Sequence, residues 1–300
     1  MEKGNEIILN KYTFLEKIGK GSFGEVFKGI IIKTNEIIAI KTEDIQKISV
    51  SPLKNETIIL NYLNREKCKN IPLVYWYGIY KTSKCLIIPY YNFSLHNIFF
   101  NIREKNETEK QKITYIFFVF KSLLNIIQYI HEKKVIHRDI KPDNFMYNDG
   151  EFYLIDFGIA SFFEVKELNN NFLEESKDKN TEVYEKCSII GTPNYISVFV
   201  HQGKNPEPID DLISLGYVFY YFVCFLLNRK MEWQIDKGSD TKTILENKMK
   251  MKIQHIKREF GCDEIITNII HLYLKKCYKF SFEKKIQYLI LKEIFTHLQS

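Results

Sequence analysis

The chain has 300 residues, 45% hydrophobic and 15% aromatic, which is enough apolar side chain for a large core and too much for a disordered polypeptide. A formal net charge of +6 is modest and lacks the concentrated basic stripe that nucleic-acid binding calls for. Six cysteines (Cys68, Cys85, Cys187, Cys224, Cys262 and Cys277) lie far apart with no C-x-x-C spacing, so they read as reduced thiols and exclude a disulfide frame or a zinc site.

Met1 to Asn10 carries Glu2 and Glu6 and no apolar signal core, so an intracellular protein of the cytoplasm or nucleus is expected. From Tyr12 to about Pro89 the chain runs in short β-rich stretches broken by glycine: Thr13–Lys17, Val26–Ile32, Ile37–Lys41, Val74–Tyr80 and Cys85–Ile88. One helix interrupts them, predicted from Leu53, Thr57, Leu60 and Leu63 at helical spacing. After Ser94 the pattern turns helical. Ile113, Ile116, Phe117, Phe120, Leu123, Leu124, Ile127 and Ile130 form a broad stripe suited to a buried helix.

Lys166 to Glu182 is strongly polar and reads as an exposed loop. Leu212 to Leu227 is apolar but falls short of the roughly 18 to 20 residues that a membrane span needs. Asp210–Asp211 and Asn228–Arg229 bracket it, so a buried core helix is expected and no membrane span. The basic run Lys248 to Arg258 reads as a solvated helix face, with a nuclear-import or acidic-substrate patch as the alternative. Together these elements predict an α+β chain. Residues 1–11 form an extension and residues 12–298 the domain: a small β-rich lobe with one main helix over about 12–89, a connector over 89–93, and a larger, mostly helical lobe over about 94–298.

Three clusters carry chemistry. Ile18-Gly19-Lys20-Gly21-Ser22-Phe23-Gly24-Glu25-Val26 places glycines where a strand-turn-strand can bring its backbone close to phosphates. A dinucleotide site would want a helix after the glycines, and here a β-like run follows. Next, Ile38-Ala39-Ile40-Lys41 ends an apolar strand on a lysine that can hold phosphates once a carboxylate fixes its ammonium; Glu56 in the following helix is the candidate partner. The third cluster is His137-Arg138-Asp139-Ile140-Lys141-Pro142-Asp143-Asn144, followed by Asp156-Phe157-Gly158.

With these motifs in order, the chain resembles the eukaryotic protein kinases. The resemblance implies a bilobal kinase fold and two small partners, ATP and Mg²⁺. It implies that Asp139 orients or accepts the proton of the incoming hydroxyl, that Lys141 neutralises the moving phosphoryl, and that Asn144 and Asp156 supply metal ligands. Ile18, Gly19, Gly21, Ser22, Phe23, Gly24, Val26, Ala39, Lys41 and Glu56 would line the nucleotide, with Ile88 bordering the adenine and Pro89 and Tyr91 offering backbone carbonyl and N–H. His137 is given a packing role only. Lys141, with Gly191-Thr192-Pro193, implies serine/threonine acceptors, and Thr192 is expected to bond Asp139 and Lys141.

A narrower resemblance, to casein kinase 1, rests on several further runs. They are Asn70-Ile71-Pro72 leading to Tyr75-Trp76-Tyr77-Gly78, Ser94 to Phe99, His137 to Phe145, Asp210 to Tyr217, and Trp233-Gln234. Ser197-Val198-Phe199 stands where most kinases carry Ala-Pro-Glu, and Asp211 becomes the helix-start aspartate that braces the catalytic loop. Departures accompany the match. Asn194 replaces an arginine that family members use to recognise phosphorylated substrates, Pro208 and Ile209 replace paired arginines, and Ser161-Phe162-Phe163-Glu164 replaces a basic stretch. Weak preference for primed sites is therefore expected, as is the absence of a regulatory tail beyond Ser300. Thr181 and Ser188 read as solvated loop hydroxyls, with a phosphate that pairs with Arg138 as the alternative. The expected partners are proteins with serine or threonine acceptors, acidic sequences among them, and a monomer is expected. The rivals are a kinase-fold scaffold without transfer and, more remotely, a nucleic-acid binder.

Overall fold

The computed structural model describes residues 6–20, 24–46, 51–163, 190–226, 230–231, 241–250, 264–283 and 285–296. Two compact units make it up, one of residues 1–94 and 144–160, the other of residues 95–143 and 161–300.

Glycine-broken, β-branched runs build the sheet of the first unit. Its strands are β1 (Ile7–Ile8), β2 (Tyr12–Lys20), β3 (Glu25–Ile31), β4 (Ile37–Asp44), β5 (Trp76–Tyr80) and β6 (Ser83–Pro89). They lie in the order β1-β2-β3-β4-β6-β5 and pair antiparallel throughout. Alternation sorts the side chains. Tyr12, Phe14, Phe27, Ile38, Ile40, Cys85 and Ile87 join one buried cluster. The intervening β4 residues Ala39, Lys41 and Glu43 therefore face the other way, where α1 (Pro52–Arg65) packs on β4 and β6. Leu53, Thr57, Leu60 and Leu63 are all buried, as their spacing predicted. Ser51 caps the helix by accepting the Lys54 N–H at 3.2 Å.

The sequence reading missed a hairpin that also belongs to this unit. β9 (Phe145–Asn148) and β10 (Glu151–Leu154) pair antiparallel. Asp149 and Gly150 join them at positive φ, 50° and 87°. That is a primed two-residue turn, for which Asp-Gly is the strongest short signal. Asn70 fastens the hairpin: its side-chain amide donates to Phe152 O at 2.9 Å and its carbonyl accepts the Leu154 N–H at 3.0 Å. β7 (Phe93–Ser94) adds a third strand against β9.

In the second unit α5 (Pro208–Leu226) touches α2 (Leu95–Glu104), α3 (Glu109–Glu132) and α7 (Glu264–Glu283), and α8 (Tyr288–Glu293) packs on α3. Phe99, Phe120, Phe219, Phe222 and Phe295 interlock in its core. Both α3 and α5 are long and apolar enough to cross a membrane by length and composition, but 50% and 83% of those stretches are buried inside the protein. Packing against neighbouring helices accounts for their apolarity. The α3 stripe is buried except at Ile113, which is half-buried.

The second unit is mostly helical, as expected, with one short strand pair, β8 (Val135–Ile136) with β11 (Ser161–Phe162). One correction concerns the basic run, which is not a solvated face at its start: Lys248, in α6 (Thr241–Lys250), is buried and donates to Pro193 O at 2.8 Å and Ile196 O at 2.7 Å. A period-based reading treats lysine as solvated because it seldom finds such partners. Residues 251–258 of that run lie outside the described residues, as do the loop 166–182, Thr181, Ser188, Trp233 and Gln234. Cys85, Cys224 and Cys277 are buried and Cys68 is half-buried; Cys187 and Cys262 are not among the described residues.

Candidate active site

Register along the first unit's sheet gathers the expected nucleotide residues. Gly19 lies opposite Val26, Val26 opposite Lys41, and Ala39 opposite Ile88. Directly paired residues share a face, so these five sit on the side of the sheet away from the buried cluster. Ile18 falls at the register shift between Lys17 and Gly19, where β2 bulges. Glycine is needed at Gly24 by the sheet itself, since a Cβ there would sit 1.7 Å from Thr42 O. At Gly19 a Cβ would meet nothing nearer than Val26 Cβ at 3.8 Å, so internal packing leaves the space above it open. Gly21, Ser22 and Phe23 lie outside the described residues. Pro89 ends β6, and Tyr91 is buried with its ring stacked on Tyr153 at 4.5 Å between centroids.

Lys41 Nζ donates to Glu56 Oε1 at 2.6 Å and lies 3.8 Å from Asp156 Oδ1. Burial works against its charge, but Glu56 and Asp156 outweigh that and hold its pKa above the ordinary lysine value. Burial also pushes the Glu56 carboxyl up, with Lys41 and the Phe157 backbone N–H pulling against it. The pair is therefore a preorganised cation with one deeply buried counterion.

Asn144 and Asp156 flank the base of the β9–β10 hairpin. The Ile155 N–H donates to Asn144 O at 2.9 Å, which holds the residue before β9 next to the residue preceding Asp156. Asp156 takes a left-handed backbone, φ 67°. Its carboxylate is 48% exposed although Asn144 is buried. An amide oxygen and an accessible carboxylate are hard oxygen donors of the kind magnesium takes beside phosphates, and Lys41 is a cation of the kind that phosphates take. The residues fit a magnesium nucleotide. Among the described residues no group of three His, Cys, Asp or Glu side chains is placed to hold a metal ion.

The second unit holds Asp139. Thr192 donates to Asp139 Oδ1 through both its N–H, at 3.0 Å, and its hydroxyl, at 2.6 Å. Lys141 Nζ donates to Asp139 Oδ2 at 2.6 Å and to Thr192 Oγ1 at 3.2 Å, so the expected contacts of Thr192 are present. Gly191 permits this approach: it takes φ 103°, and a Cβ there would sit 2.6 Å from Arg138 O. Beneath the loop, Asp211 accepts the backbone N–H groups of His137 at 2.7 Å and Arg138 at 2.9 Å. Burial alone would raise the Asp211 carboxyl, yet His131 and His137 hold it below the ordinary aspartate range. His131 Nε2 lies 3.0 Å from Asp211 Oδ2, and its Nδ1 lies 2.6 Å from the Tyr288 hydroxyl. His137 is fully buried, and its Nδ1 accepts the Asp139 N–H at 3.3 Å.

Three supporting residues escaped the sequence reading. Asn55, beside Glu56 on α1, donates to Gly158 O at 3.1 Å and Ala160 O at 2.9 Å, tying the helix to the segment that follows Asp156. Its position one residue before the lysine's partner was the available signal. Glu43 lies two residues past Lys41 on β4 and is buried. Lys248 carried no signal at all, since its acceptors are remote in sequence. Residues 12–296, nearly the whole chain, match the family described as Protein kinase domain.

Proposed function

The chain belongs to the protein kinase family, and from that premise we propose an active serine/threonine kinase of casein kinase 1 type, which transfers the γ-phosphoryl of ATP to protein hydroxyls. The observation that carries the activity is the completeness of both charged sets: Lys41 on Glu56 beside Asp156, and Asp139 bound by Thr192 and Lys141. A scaffold that had abandoned transfer would be expected to lack one of them.

In this proposal Lys41 holds the α- and β-phosphates, its ammonium kept in place by Glu56. Asp139 orients the substrate hydroxyl and takes its proton as the oxygen bonds to the γ-phosphorus. The bond from that phosphorus to the β,γ-bridging oxygen breaks in the same displacement, and ADP departs. Lys141 neutralises charge on the moving group. Asn144 and Asp156 would hold magnesium, which would supply positive charge to offset that of the phosphates. Thr192 keeps Asp139 aimed by sharing both its donors with one carboxylate oxygen.

Lys141 and Thr192 favour serine and threonine acceptors through the family resemblance. The casein kinase 1 type is favoured by Ser197, whose hydroxyl donates to Asp210 Oδ1 at 2.5 Å while its oxygen caps α4 (Val198–His201) on the Val200 N–H at 3.1 Å. A neutral hydroxyl thus anchors the segment where most kinases carry Ala-Pro-Glu. Residence in the cytoplasm or nucleus and action as a monomer belong to the same proposal.

Incubation of the full chain with γ-labelled ATP, magnesium and casein tests it. Label on serine and threonine, absent with Asp139→Asn, is the expected result. Nucleotide binding with no transfer to any polypeptide would instead establish a scaffold.

A further inference from the structure

Glu43 is, with Glu56, the most buried carboxylate among the described residues of the first unit, its side chain 2% exposed. Strand alternation puts it on the same face of β4 as Lys41. Its Oε2 accepts the Leu53 N–H at 3.1 Å and the Ser51 hydroxyl at 3.0 Å. Its Oε1 faces Lys84 Nζ at 3.4 Å, and Lys84 is its direct partner across β6. A buried carboxylate without such donors would be strongly disfavoured. Here every contact shown is to the start of α1 or to the adjoining strand.

The spacing matters. Lys41 and Glu43 stand about 6.7 Å apart along the strand, two residues at the usual strand rise. Leu53 and Glu56 are three residues apart in the first turn of α1, a rise of about 4.5 Å. Strand and helix are therefore joined at two points: Glu43 to the backbone at Leu53, and Lys41 to the side chain of Glu56. One ion pair alone would let a helix swivel about the contact. A second attachment one turn away removes that freedom. Helix placement is a known control point for the lysine–glutamate pair of protein kinases, and the anchor described here lies outside that pair.

We propose that Glu43 is a positioning residue for the nucleotide site: it fastens the N-terminus of α1 to β4 and so keeps Glu56 paired with Lys41. The inference rests on the reading of Lys41 and Glu56 as nucleotide-holding groups. Glu43 itself touches no reacting atom. A cap that served stability alone would lower the melting temperature and leave the ATP parameters of the folded enzyme unchanged.

The test uses the full chain with Glu43→Ala, Glu43→Gln, Glu56→Gln and the Glu43→Ala/Glu56→Gln double variant. Steady-state kcat and KM for ATP are measured at saturating peptide and normalised to folded enzyme, with ADP affinity taken from calorimetry. Glu43→Ala should lower kcat/KM for ATP about tenfold or more, the scale of a lost charged hydrogen bond. Glu43→Gln keeps an acceptor for the Leu53 N–H and should recover most of that loss. In the Glu56→Gln background, Glu43→Ala should add less than about threefold, because residues that act through one contact are not additive. If Glu43→Ala does not fold, Glu43→Asp, which keeps the charge on a shorter arm, must show the same loss. The inference is overturned if Glu56→Gln impairs ATP use while Glu43 variants do not, or if the two effects multiply. Should Glu56→Gln itself leave ATP use intact, the nucleotide reading of the pair falls, and the inference with it.

Discussion

Glu56 in the first unit and Asp139 in the second are both carboxylates that steer a lysine, but they are held very differently. Glu56 is 2% exposed and leans on one cation, Lys41, together with the Phe157 backbone N–H. Asp139 shares its charge among a backbone N–H, a hydroxyl and Lys141, at 3.0, 2.6 and 2.6 Å. A buried charge with one main partner fails abruptly when that partner goes. A charge with several donors loses them one at a time, each worth only a modest amount. The first unit should therefore respond to substitution as a switch and the second by degrees.

The sharpest way to break that contrast is Lys41→Met. It strands Glu56 and should cost about 3–5 kcal/mol in denaturant unfolding, the usual penalty for halving a buried pair, along with nearly all ATP turnover. If it costs no more than loss of one donor to Asp139, the contrast fails.

Protonation comes next. Asp210 is raised by burial to about 6 from 3.8, and His201 is lowered to about 4 from 6.5 by burial and by the Lys248 charge. Between about pH 4 and 6 the folded chain keeps the Asp210 proton that the unfolded chain releases, so this group weakens folding as pH rises. His201 acts in the opposite sense: as pH falls from 6.5 to 4 the unfolded chain takes up a proton that the folded chain refuses. Each is worth about 3 kcal/mol across its window, and they largely cancel. Melting curves against pH should separate them. Asp210→Asn should steepen the loss of stability on acidification, and His201→Leu should reverse the slope, each compared with the unaltered protein. Neither His201 ring nitrogen meets a hydrogen-bond partner among the described residues, so the leucine variant should also melt higher at pH 7.

A gentler probe is Thr192→Val, which keeps the N–H donor and removes the hydroxyl. Peptide phosphorylation should fall about tenfold while ADP affinity stays the same, because Lys141 and the N–H still hold Asp139. A collapse to the level of Asp139→Asn would mean that the second unit is as brittle as the first. The smallest effect concerns substrates. Asn194 brings no charge, and Lys248, which reaches the same segment, is buried on two of its carbonyls. Phosphate upstream of the target hydroxyl should therefore change kcat/KM by less than about threefold, given that charge-assisted contacts are roughly twice as strong as neutral ones. Matched primed and unprimed peptides would measure it.

Much of the site was legible because its chemistry is local in sequence. Asp139, Lys141 and Asn144 sit within six residues, Asp156 follows closely, and Lys41 ends a strand whose alternation is plain. Glu56 as its partner followed from the helix periodicity of Leu53, Leu60 and Leu63, and Asp211 as the brace followed from the family pattern. The β9–β10 hairpin was legible too, through Asp149-Gly150 between the short apolar runs Phe145–Tyr147 and Phe152–Leu154, and was overlooked because the helical pattern around it dominated the period.

Residue types and spacings alone determined the β-then-helix order and the burial of α5, since each depends on neighbours a few positions away, and the family resemblance supplied the candidate reacting groups. Tertiary structure decided which charges leave water. Glu43 and Lys248 look like ordinary surface residues until a helix terminus and two loop carbonyls reach them. Burial of a charge is set by partners that only folding brings within about 3 Å, and no periodicity along the chain encodes their arrival.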